Sequence, residues 1–134
     1  MNLIGKVVHR GEKCSQFNQH KYVAIAYDNN TGMYLVVNFT TKRGTRTPSL
    51  TIEVKKEEFP SILTEDISVV VYSKAEELTA EEFVSCGIKQ DSYGKDIVCP
   101  DALLKRVIAQ IDAGSSLDDK YIRRYFPNSP ILNQ

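Results

Sequence analysis

Lys21–Thr41 reads KYVAIAYDNNTGMYLVVNFTT, and this stretch decides how the chain folds. Val23–Tyr27 and Met33–Phe39 are apolar runs rich in the β-branched and aromatic residues that suit a pleated, half-buried surface. Between them, Asp28, Asn29, Asn30, Thr31 and Gly32 tolerate positive φ or hydrogen-bond their own backbone, so the chain reverses cheaply. The reading is an antiparallel hairpin.

Working outward, Leu3–His9 reads as a short first strand, followed by a polar loop over Arg10–Gln19. Beyond Thr41, KRGTRTPS (residues 42–49) is a basic loop with a glycine and a proline. Leu50, Ile52 and Val54 alternate with Thr51, Glu53 and Lys55, the period of two of a strand with one buried face. Ser68–Tyr72, SVVVY, follows the turn-prone Thr64-Glu65-Asp66 as another short strand. Several short strands at such spacing point to a small β-barrel or sandwich, a closure that removes exposed edges.

Helices come late. Thr79-Ala80-Glu81-Glu82 is a capping-box sequence with Gly87 placed to end the helix. A longer helix runs from about Pro100 to Gly114, with Leu103, Leu104, Val107, Ile108 and Ile111 on one face. Leu117–Phe126 follows a Ser115-Ser116 cap as a last helix, and Pro127 and Pro130 break up the tail. The fold class is mainly β (α+β), with one domain over 1–114 and a helical extension over 115–134.

The chain has 134 residues and no net charge, with 17 Lys/Arg against 17 Asp/Glu. Its charge is unevenly spread: residues 1–56 hold nine bases and three acids, so a basic half adjoins an acidic one. Cys14, Cys86 and Cys99 are widely spaced and form neither a zinc pattern nor a disulfide framework, which points to a reducing cytoplasm. The N-terminus lacks the apolar core of a signal peptide, and no apolar run approaches a membrane span.

No Gly-rich phosphate loop, HExxH, GxSxG or paired CxxC occurs, and no metal or cofactor is called for. Chemistry has to run on side-chain acids, bases and positive charge. RNA permits this, because its 2′-hydroxyl attacks the adjacent phosphate once a base takes the proton. Pairing across the hairpin brings His20 and Lys21 next to Thr40 and Thr41, with Lys42, Arg43 and Arg46 beside them, a phosphate-binding combination. Taken singly, each has a plainer reading: His20 as a surface histidine, Lys21 as a solubilised strand edge, the threonines as ordinary strand ends, the basic loop as a solvated one.

The run Tyr27–Thr41, YDNNTGMYLVVNFTT, resembles the second-and-third-strand hairpin of the MazF/PemK toxin family, and a weaker match extends from about Gly5 to Gly114. The resemblance implies an SH3-like barrel, usually a homodimer, that cuts single-stranded mRNA without a metal and is held in check by a cognate antitoxin. It implies a catalytic set of His20, Lys21 and Thr40, and substrate contacts from Gln16, Thr41, Lys42, Arg43 and Arg46. Lys21 stands where the family has arginine, Tyr22 where it has proline, and Gln16 where an acid is common. Lysine is a point charge that cannot offer the bidentate fork of arginine. The alternative reading is a non-catalytic barrel that binds RNA or protein.

Overall fold

The computed structural model describes residues 2–10, 20–42, 44 and 49–133. Gln16, Arg43, Arg46 and Cys14 lie outside the described residues.

The hairpin is formed by β2 (His20–Asp28) and β3 (Met33–Thr41). Asp28 builds the turn. Its carboxylate accepts from Thr31 Oγ1 at 2.8 Å and from Asn30 N at 3.3 Å, and its carbonyl accepts from Gly32 N at 2.8 Å. Gly32 sits at φ +72°, where a side chain is disfavoured. The register runs from Asp28↔Met33 to Tyr22↔Asn38, with an irregularity between Ala24 and Ala26.

β3 is the middle of a five-stranded antiparallel sheet of order β1-β2-β3-β5-β4, completed by β1 (Val7–Arg10), β4 (Glu53–Lys55) and β5 (Ile67–Thr79). Its residues from Tyr34 to Phe39 are all buried because both faces are covered, and alternation sorts them into two cores. Leu35, Val37 and Phe39 face the larger core with Leu103, Val107 and Ile111 of α2 (Asp101–Ala113). Tyr34 and Val36 face a smaller core with Leu3, Val8 and Phe83, the last from α1 (Ala80–Ser85). The protein is thus α+β and mainly β, as expected. No ladder joins β1 to β4 among the described residues, so the sheet is open.

Several expected elements shift for identifiable reasons. β1 starts at Val7 because Gly5, at φ +85°, turns the chain, leaving Leu3 to fill the smaller core. β4 keeps only three residues, since Leu50 adopts φ +61° and points outward, 55% exposed. β5 runs past Tyr72 for seven further residues. Its pairing jumps from Asn38↔Val71 to Val36↔Glu76, so the strand bends between them. The buried Tyr72 hydroxyl pins that bend by donating to Val107 O at 2.8 Å. Thr79 then ends β5 and caps α1, accepting from Glu82 N at 3.1 Å while Glu82 Oε1 accepts from Thr79 N at 3.0 Å.

The last helix, α3, is Asp119–Tyr125, capped by Asp118 in place of the serines. Leu117, Ile122 and Tyr125 enter the larger core. Tyr125 Oη donates to Glu77 Oε2 at 2.8 Å, and Arg124 pairs with the same carboxylate. Glu77 lies opposite Leu35, so α3 docks toward the Asp28 end of the hairpin. No helix among the described residues is long and apolar enough to cross a membrane.

Candidate functional site

The other end of the hairpin opens into a cleft of about 190 Å³ lined by His20, Lys21, Phe39, Thr40 and Thr41. Ile62, Leu63, Thr64, Glu65 and Ser68 form its opposite wall. Four residues singled out in the sequence, His20, Lys21, Thr40 and Thr41, therefore meet at one site. The volume is below the roughly 300 Å³ at which pockets begin to take a drug-sized ligand, and suits a group such as phosphate.

Each wall has a structural reason to hold still. Thr40 and Thr41 are fixed by pairing with Val69 and Ser68 of β5. The opposite wall is anchored by Phe59, Ile62 and Leu63, all buried, with Leu63 N donating to Phe59 O at 2.9 Å. Lys21 ties the two together, its Nζ donating to the Ile62 carbonyl at 2.7 Å. Burial lowers the Lys21 pKa from its ordinary value, and the charge of Lys89 lowers it further. His20 is exposed at the rim. Tyr22 is buried in the smaller core.

Lys42 does not join this cleft. It pairs with Glu53 at 2.6 Å and lines an adjacent hollow of about 270 Å³ with Thr41, Gly44 and Asp66. Both hollows share Thr41 and Glu65. The sequence reading missed Thr64, Glu65 and Ser68 as site residues because TED reads as a turn and SVVVY as plain strand. It also passed over the Ile62 carbonyl, which no side-chain pattern signals.

The cleft thus presents an imidazole, an ammonium, four hydroxyls and a carboxylate. Hydroxyls and the imidazole suit the oxygens of a phosphodiester, and an imidazole with a carboxylate can exchange protons with it. Among the described residues, no three His, Cys, Asp or Glu side chains gather to hold a metal ion. Against known proteins, no family model matches the chain and no curated protein matches it.

Proposed function

We propose that the protein is a MazF/PemK-like toxin, a cytoplasmic endoribonuclease that cuts single-stranded mRNA through the RNA's own 2′-hydroxyl. The observation that carries this reading is the convergence of His20, Lys21, Thr40 and Thr41 on one cleft. In this reading a base on the rim takes the 2′-hydroxyl proton, the 2′-oxygen attacks phosphorus, and the 5′-oxygen leaves with a proton from an acid. The products are a 2′,3′-cyclic phosphate and a free 5′-hydroxyl. His20 takes one of the two proton-transfer roles and Glu65 the other. Thr40 and Thr41 donate to the phosphate oxygens, and Lys21 places positive charge on the cleft floor.

The reading also assigns to the sheet the SH3-like barrel of that family, supported by the bend of β5 between Val71 and Glu76, which turns the strand partway along its pairing with β3. A homodimer and a cognate antitoxin belong to the same proposal. One observation favours the second reading, a non-catalytic module that binds RNA or protein: the Lys21 ammonium already serves the Ile62 carbonyl. Incubating the purified protein with long single-stranded RNA in EDTA separates them. Discrete fragments ending in 2′,3′-cyclic phosphate support the nuclease; intact RNA leaves the binding module.

A further inference from the structure

Among the described residues, two half-buried lysines are paired with carboxylates. Lys6 meets Asp96 at 2.7 Å and Lys42 meets Glu53 at 2.6 Å. One group departs from this pattern. His9 and Lys21 are directly opposed in the β1–β2 register, which sets both side chains on one face. Ile88 bridges Val8, and Lys89 N donates to Val7 O at 2.8 Å, so Lys89 flanks the same strand next to His9. All three are half-buried. The charges of Lys21 and Lys89 bear on His9, and that of Lys89 on Lys21. Among the described residues, no carboxylate pairs with any of them.

Like charges brought together in a partly desolvated place, without a counter-charge, cost free energy that an anion would return. Lys21 also reaches the floor of the neighbouring cleft. We propose that His9, Lys21 and Lys89 form a second anion subsite, which takes a backbone phosphate of a single-stranded nucleic acid next to the one held in the cleft. A nucleic acid is favoured over an acidic peptide because the subsite runs through Lys21 into a hydroxyl-lined pocket of phosphate size. The inference rests on the nucleic-acid part of the proposed function and not on cleavage.

The test uses the full chain and a 2′-O-methylated octanucleotide, whose blocked 2′-oxygens prevent cleavage. Binding is followed by fluorescence anisotropy between 50 and 200 mM salt, a range of about fourfold in counterion. Lys89→Ala is expected to weaken binding about fivefold at the lower salt and to reduce the salt slope by about 0.7, the value of one contact on a single strand. Lys89→Arg should retain affinity. Lys120→Ala, a control on α3 where the ammonium lies over the Tyr121 ring, should change neither quantity. In NMR titrations the oligonucleotide should raise the His9 midpoint, because a phosphate offsets the two lysines. The inference is overturned if the wild type does not bind, if Lys89→Ala keeps the wild-type slope, or if polyglutamate competes as well as the oligonucleotide. Binding without cleavage of unmodified RNA leaves the subsite standing and removes the nuclease; cleavage with an unchanged Lys89→Ala slope does the reverse.

Discussion

The ammonium nitrogen of Lys21 lies 2.7 Å from the carbonyl oxygen of Ile62, joining the start of β2 to the far wall of the cleft. A hydrogen bond from a charged donor is worth about 1.5–3 kcal/mol, but here burial and Lys89 oppose the charge. Lys21→Met is therefore expected to change stability by no more than about 1 kcal/mol while lowering RNA cleavage at least about 100-fold. Lys21→Arg should cut faster than the wild type, since one edge of the guanidinium can hold the Ile62 carbonyl while the other faces phosphate. Chemical denaturation and single-turnover cleavage check both. Wild-type cutting by Lys21→Met contradicts the assignment.

His9 gives a pH signature. Burial, then Lys89 and Lys21, hold its imidazole below the ordinary 6.5. As pH falls through 6.5 the unfolded chain takes up a proton before the folded one does, so stability drops from about pH 6.5 down to the lowered folded-state pKa and levels off below it. His9→Gln should remove this part of the loss. Urea midpoints at pH 7.5 and 5.5 are expected to differ less in the variant than in the wild type; an equal difference would show that His9 does not titrate against the lysines.

Glu65 is the acid of the cleft wall. Its exchange for glutamine keeps the shape and removes proton transfer, which typically contributes 10²–10⁴-fold. Glu65→Gln is expected to lower the cleavage rate by about that factor with little change in oligonucleotide affinity. A variant that cuts at the wild-type rate but binds RNA poorly would reassign Glu65 to substrate contact.

The C-terminal helix supports the fold and stands apart from the cleft. Ile122 is buried in the larger core, so Ile122→Ala should cost about 2–4 kcal/mol. Tyr125→Phe, which removes the hydrogen bond to Glu77, should cost about 1 kcal/mol. Among the described residues none beyond Ser68 lines the cleft, so both variants should cleave normally well below their melting temperatures. A cleavage defect in a folded Ile122→Ala would couple the two regions.

Much of this architecture is legible along the chain. The Asp28–Gly32 reversal, the Thr79–Glu82 cap and the apolar stripe of α2 are local signals, and each stands where local chemistry puts it. The misreadings come from tertiary context. β5 continues through Lys74, Glu76 and Glu77, whose polarity hides a strand that resumes its pairing with β3 at Glu76. The alternation at Leu50–Lys55 suggests a full strand, yet backbone conformation at Leu50 cuts it short. In the same way, the meeting of His20 with Thr40 follows from hairpin register, which sequence reveals. The approach of Ile62, Glu65, His9 and Lys89 depends on how distant segments wrap the sheet, which it does not.

The central claim is that the rim of the hairpin holds the scissile phosphate, and single-turnover cleavage of a single-stranded RNA by His20→Ala and Thr40→Val tests it most directly. Both side chains line the cleft, and neither belongs to a core cluster, so melting temperatures should stay within about 4 °C of the wild type. The account predicts that each variant loses at least about 100-fold in rate. Wild-type rates in both variants would contradict it, placing the chemistry elsewhere on the protein.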